Sequence, residues 1–582
     1  MPSDKLLSQG QWDWSGGTDS SRPPTIASEQ NPNGLPTNMV SWANNCTFRG
    51  GSIRPSSGFQ PLVKGAPWSG LYQGGYVYEP NGALPYLILD IGGKTYAVRV
   101  DTDNSVHEIT TAGAPLPANL PQHWLKQGEQ FLVFQDGVSE PRVWDGTTMR
   151  KISAMGGAAP YLPTGTAMDY HQGRFWVALA NRAYMGGDIV LGPSGTAPYF
   201  LRDAILHAGE NVYLAGGGSF IVPTNAGDVR ALSHAANLDT ALGESQLYVF
   251  TRKTIYSLNV PVTRADWAAS KEPLQRVASI NFGTVGDRGV VPVNGDLFFQ
   301  TMEPGIRSLA VATRYFQQWG NTAISNNVDR AIRSNDRSLL RYSTGVLFDN
   351  RLLESAQPFQ TPLGVAHRGI VPLDFDLIST LQTKEPPAWE GFWEGVPYFQ
   401  LLQGDFGGLE RCFAIVYSDA GKIEVWEVTK GDLRDNGDNR IQWSKEYPAF
   451  TFNNLTQLKK LVSARMWIDQ LRGTCDFTFE YRPDFGSCWI LWHQQRECAA
   501  RDCTEDVNAA SCSYPIQPYC AENRACMILP APPVTCDPSN TRPSNLGYQF
   551  QARVTVHGSC RIRGFMMYCE PEMKPLYHDL KG

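Results

Sequence analysis

Between about residue 66 and residue 350 the sequence is a succession of short segments in which apolar and polar side chains alternate, each closed by a turn signal. Period-two alternation is what a half-buried strand requires, so this stretch reads as strand, turn and returning strand, many times over. Tyr86-Leu-Ile-Leu-Asp-Ile91 and Tyr96-Ala-Val-Arg-Val100 flank Gly92-Gly93, a two-glycine hairpin turn. Gln130-Phe-Leu-Val-Phe134 runs through Asp136-Gly137 to Arg142-Val-Trp144 and a second turn at Asp145-Gly146. Arg174-Phe-Trp-Val-Ala178, Gln246-Leu-Tyr-Val-Phe250 with Thr254-Ile-Tyr-Ser-Leu258, and Asp296-Leu-Phe-Phe-Gln300 continue the series. Segments of this kind build the blades of a propeller or the sheets of a large sandwich, and no fixed period sets a blade count.

Composition agrees with an all-β chain: 55 Gly and 40 Pro among 582 residues punctuate strands and break helices. The length exceeds what one hydrophobic core serves, so at least two cores are expected. Residues 1–65 form an extended, Gly-, Pro-, Ser- and Asn-rich arm anchored by Trp12, Trp14, Trp42 and Phe59. Too polar to bury a core of its own, it is expected to wrap a larger body or a partner. Then come the propeller-like body at 66–350, further strands and an aromatic loop at 351–450, and a C-terminal β platform at 451–582 with a Cys-rich insertion at 496–545. Lys and Arg number 50 against 56 Asp and Glu, a net charge of −6, which excludes nucleic-acid affinity by bulk charge. No run of apolar residues is long enough for a membrane-spanning helix, and Met1–Gly17 lacks the apolar segment of a secretory signal, so synthesis in the cytosol is expected.

Motifs with chemistry are weak. Gly92-Gly-Lys-Thr95 lacks the upstream glycine of a phosphate-binding loop, and Asp101-Thr-Asp103-Asn-Ser105 lacks the glycine and glutamate of a calcium loop. His171 stands two residues from Asp169 and could pair with it as a base, although a hydrogen-bonded structural histidine is the stronger reading. No cofactor or metal site is expected. Trp389, Phe392 and Trp393, in an aromatic loop with Tyr398 and Phe399, suit an interface, a lid over the core or, less often, sugar stacking.

Ten of the 12 cysteines lie in the last quarter: Cys475, Cys488, Cys498, Cys503, Cys512, Cys520, Cys526, Cys536, Cys560 and Cys569. No Cys-x-x-Cys knuckle is present, so disulfides are preferred over zinc or free thiols, with the pairing open.

Trp14-Ser-Gly-Gly-Thr-Asp19, Asn38-Met-Val-Ser-Trp-Ala-Asn-Asn45 and Phe48-Arg-Gly-Gly-Ser-Ile-Arg-Pro-Ser-Ser-Gly-Phe59 together resemble the opening of tailed-bacteriophage tail proteins. Asp169-Tyr-His-Gln-Gly-Arg-Phe-Trp-Val177 and Gly345-Val-Leu-Phe-Asp-Asn-Arg-Leu-Leu353 fit as well. The text from about residue 14 to 450 is similar to the nozzle (tubular tail) proteins of short-tailed phages. That resemblance implies an irregular β-propeller with a platform and a structural, non-enzymatic role in the virion tail. It implies a homo-oligomeric ring, a hexamer, that meets portal and adaptor proteins, carries tail fibres and lets DNA pass without gripping it. A receptor-binding adhesin of the same virion and a propeller glycosidase are the competing readings.

Overall fold

A computed structural model describes residues 6–572 except 30, 65–67, 101–102, 156–160, 187–189, 192–198, 201–204, 208–218, 236–245, 259–273, 277–282, 311–322, 377–386, 430–433, 436–438, 499–524 and 535–541. The expected hairpins form. Tyr86–Ile91 and Lys94–Arg99 pair across Gly92 and Gly93, whose φ of 59° and 80° are the left-handed values this turn demands.

The fold is all-β, and its body is a β-propeller of five consecutive antiparallel blades. Four have four strands, at 72–108, 124–151, 168–221 and 229–276, and the fifth has three, at 290–308. Each blade opens on its inner strand: Tyr72–Tyr78, Trp124–Gly128, Met168–His171, Val229–His234 and Val290–Val293, each beside the next. A wide sheet closes the ring. Its strand Gly345–Phe348 lies beside Val290–Val293, and its strand Trp393–Asp405 lies beside Tyr72–Tyr78. Blade faces pack on one another through separate apolar clusters, such as Ile88, Phe134 and Trp144 between the first two blades.

The remaining large sheet is the platform. Its spine is two long antiparallel strands, Lys459–Pro483 and Phe550–Pro571. The sequence suggests two strands in the second region, before and after Gly558; they are one strand. Gly558, at φ 132°, and register shifts opposite residues 469–476 absorb the irregularity without ending the ladder.

The arm wraps its own chain. Leu7–Gln11 pairs with the Phe550–Pro571 strand, Trp42–Asn44 pairs with Gln442–Glu446, and Phe59–Val63 completes the wide sheet beside Ile423–Val428. Trp14, Trp42 and Phe59 are buried there.

Of the readings open for Trp389, Phe392 and Trp393, the structure shows the lid over the core and corrects the interface: they are 2%, 5% and 2% exposed, so none is available to a partner or a sugar. The Trp393 indole N–H donates to the Cys46 carbonyl at 2.8 Å, that of Trp389 to the Ile324 carbonyl at 2.8 Å, and the Phe392 amide to the Ala43 carbonyl at 3.0 Å. The loop therefore closes over the core and fastens the arm to the wide sheet.

The disulfide expectation finds no bond among Cys475, Cys488, Cys526, Cys560 and Cys569, which are free thiols, as are Cys46 and Cys412. Cys475, Cys560 and Cys569 face the platform core as small apolar groups, with the Cys475 and Cys560 thiols in hydrogen-bonding contact. Cys498 ends the strand Ile490–Cys498, while Cys503, Cys512, Cys520 and Cys536 lie outside the described residues.

Candidate functional site at the propeller axis

Inner strands of the first, second and fifth blades and two strands of the wide sheet border an open cavity of about 600 Å³, walled by Gly75–Val77, Val290–Pro292, Gly345–Leu347 and Gln400–Gln403. Glu79, Gln127 and Glu129 line it as well; both glutamates are exposed, and the Tyr170 hydroxyl donates to Glu129 at 2.8 Å. Ligands of ring-shaped folds gather where inner strands converge, which makes this axis the place to look for function.

Gln400 fastens the ring shut beneath the cavity. Its Oε1 accepts from the Tyr72 hydroxyl at 2.8 Å and the Gly75 amide at 3.1 Å, and its Nε2 donates to the Gly75 carbonyl at 3.2 Å. Arg288 adds a second fastening, donating to the carbonyls of Gln73 at 2.6 Å and His123 at 3.0 Å. Glu354 is fully buried behind Gly345, and a side chain at 345 would collide with its carboxyl. Burial pushes the Glu354 carboxyl well above its usual range, against the single hydrogen bond from Gln300. His367 is buried in the same wide sheet.

One charged cluster spans three inner strands. Asp169 accepts from Lys126 Nζ at 2.7 Å and pairs with His234 Nδ1 at 2.7 Å. Burial pushes the Asp169 carboxyl up, but Lys126 and His234 outweigh it and hold it below the usual range. The sequence leaves His171 open as a partner of Asp169 while favouring a structural histidine there. The side chain that takes that carboxylate from the next blade is His234, and the His171 ring lies 4.8 Å from the His234 ring. One carboxylate shared by a lysine and a histidine from the blades on either side is a stable pin between blades. It has the Asp–His orientation of a general base, with His234 39% exposed. Among the described residues no three His, Cys, Asp or Glu side chains are placed to hold a metal ion.

Sequence reading singles out Asp169 and misses Lys126, His234, Glu354 and His367. The only signal for them is a lone charged or titratable residue inside an apolar strand, and each lies far in sequence from its partner.

No known family and no curated protein matches the chain. Among solved structures it is similar to BBS1N in the complex with ARL6DN, at 11% identity and a TM-score of 0.35, over 64% of this chain and 98% of that one. It is also similar to PorZ, a bacterial surface component of the type-IX secretion system of Porphyromonas gingivalis, at 10% identity and a TM-score of 0.31, over 69% of this chain and 44% of that one. The Pan2 WD40 domain of Neurospora crassa aligns at 8% identity and a TM-score of 0.33, over 64% and 96% of the two chains.

Proposed function

We propose that the chain is a structural protein of a tailed-bacteriophage virion. In this reading it forms the homo-oligomeric nozzle ring below the portal and adaptor, anchors fibres and passes DNA during ejection. The observation that supports it is where apolar surface is left uncovered. Of the eleven large apolar side chains exposed among the described residues, five besides Trp12 belong to the platform and the arm laid on it: Leu6, Phe485, Leu491, Ile528 and Val534. A platform that keeps such side chains in water is built to meet a neighbour, and a closed ring of identical copies covers them without leaving free ends. The acidic rim of Glu79 and Glu129 and the net charge of −6 repel phosphate, which suits a conduit that must release DNA. The Asp169–His234 pair is assigned a structural part, and no catalysis is proposed.

Mass photometry and electron microscopy of the purified chain test this. Closed rings are expected, and substituting Leu491→Asp together with Ile528→Asp is expected to give monomers with an unchanged unfolding midpoint. A wild-type chain that stays monomeric at micromolar concentration overturns the ring.

A further inference from the structure

Where the arm crosses the platform, a second cavity of about 610 Å³ opens, lined by Trp12, Ser52, Trp467, Asp469 and Arg563 among others. Trp12 is 51% exposed. Its indole lies flat over Gly564, where even a Cβ would stand 2.2 Å from the ring, and its centroid is 4.4 Å from that of Trp467. The absence of a side chain at 564 therefore holds an aromatic platform in place. Ser52 is only 8% exposed, yet its hydroxyl has no hydrogen-bond partner. Buried hydroxyls are nearly always satisfied, so Ser52 is an unusual residue for the wall of a cavity. Asp469, itself 3% exposed, accepts from Arg561 at 2.6 Å and 2.7 Å and from Arg563 at 3.1 Å. Arg563 gives that carboxylate one nitrogen and keeps a half-exposed guanidinium.

We infer that this cavity is a saccharide-binding subsite that takes a pyranose bearing a carboxylate. The C–H face of the sugar lies on Trp12 and the carboxylate meets the Arg563 fork. A nucleic-acid strand needs a line of cations along its backbone, whereas here Asp469 holds both neighbouring arginines. The inference is independent of the ring assembly.

Fluorescence titration and calorimetry on the full chain test it, with a hyaluronan tetrasaccharide as probe, chitotetraose as its neutral counterpart and an eight-residue oligothymidine as control. The acidic tetrasaccharide is expected to quench tryptophan emission and to bind more tightly than the neutral one. Trp12→Ala is expected to weaken it at least tenfold and Trp12→Phe less. Arg563→Gln is expected to abolish the preference for the acidic sugar. Unfolding midpoints of all three variants should match the wild type, because both side chains are about half exposed. No binding of either sugar at millimolar concentration, unchanged binding by Trp12→Ala, or equal affinity for the oligonucleotide each overturns the assignment.

Discussion

The ammonium nitrogen of Lys445 lies 4.1 Å from the ring centroid of Trp14 and 4.0 Å from that of Tyr447. It is fully buried and has no hydrogen-bond partner. Trp14 comes from the arm and Lys445 from the strand Gln442–Glu446, so the contact seals the arm onto the platform. Two aromatic faces replace only part of the lost hydration, and burial lowers the Lys445 pKa well below its usual value. A lysine depressed in the fold holds fewer protons there than in the unfolded chain, so stability rises as pH climbs toward the unfolded value of about 10.4. Lys445→Met keeps the packing and removes the charge. It is expected to raise the unfolding free energy measured by guanidinium titration at neutral pH by about 1–3 kcal/mol, and to flatten the alkaline rise. A less stable variant would mean that the lysine is favourably engaged.

His367 sits buried in the strand Gly364–Asp374, with Nδ1 3.3 Å from the Tyr398 carbonyl oxygen and no partner at Nε2. Burial lowers its pKa to about 4, against the Tyr398 carbonyl, which favours the proton. Its contribution is full above the unfolded value of about 6.5 and is lost as pH falls toward 4, an acid sensitivity of about 2–3 kcal/mol. Urea midpoints at pH 7 and pH 5 are expected to differ more for the wild type than for His367→Gln. Glu354 has the opposite sign. Its raised pKa makes the fold less stable as pH rises from the unfolded carboxylate value, so Glu354→Gln is expected to stabilise at neutral pH.

Burial divides the described cysteines into two classes. Cys488 and Cys526 are exposed, whereas Cys46, Cys412, Cys475, Cys560 and Cys569 are buried. Burial raises the pKa of Cys46, Cys412, Cys560 and Cys569, which withholds the reactive thiolate. Iodoacetamide followed by peptide mass mapping is expected to label Cys488 and Cys526 on the folded chain within minutes. The five buried thiols are expected to react only after denaturation. Rapid labelling of Cys475 or Cys560 in the native state would contradict their place in the core.

Blade hairpins were legible because each is written locally, in alternation closed by glycine or Asx turns such as Gly92-Gly93 and Asp145-Gly146. The arm's destination was not, since Leu7–Gln11 meets its partner strand more than five hundred residues later and nothing local encodes that register. The aromatic loop stayed undecided between interface and lid for a related reason. A Trp- and Phe-rich segment between prolines and glycines reads alike whether it faces water or closes over a core, and only the arm's arrival at Ala43 and Cys46 buries it. The exposed Trp12 was named as an arm anchor, but its cavity depends on Gly564, which sequence alone does not place beside it.

Arg351 is the keystone of the arm's junction with the wide sheet. Its Nε donates to Glu390 at 2.8 Å, it contacts Asp374 at 3.4 Å, and both carboxylates are fully buried. Glu390 also accepts from the Thr47 hydroxyl at 2.5 Å and the Phe48 amide at 3.2 Å, which ties the arm directly to this charge. Burial pushes the Glu390 carboxyl up to about 7, with Arg351 opposing the shift. Removing Arg351 leaves buried carboxylates short of a counter-charge, so Arg351→Ala is expected to cost about 3–5 kcal/mol at pH 8. An acid whose folded pKa is raised destabilises as pH climbs from the unfolded value of about 4.3, and without Arg351 that rise is steeper. The deficit is therefore expected to shrink at pH 5, where Glu390 is protonated in the fold, and Glu390→Gln in the same chain should recover part of it at pH 8. A deficit equal at both pH values would instead place the loss in the packing of Arg351 over the Trp393 ring, 5.5 Å away.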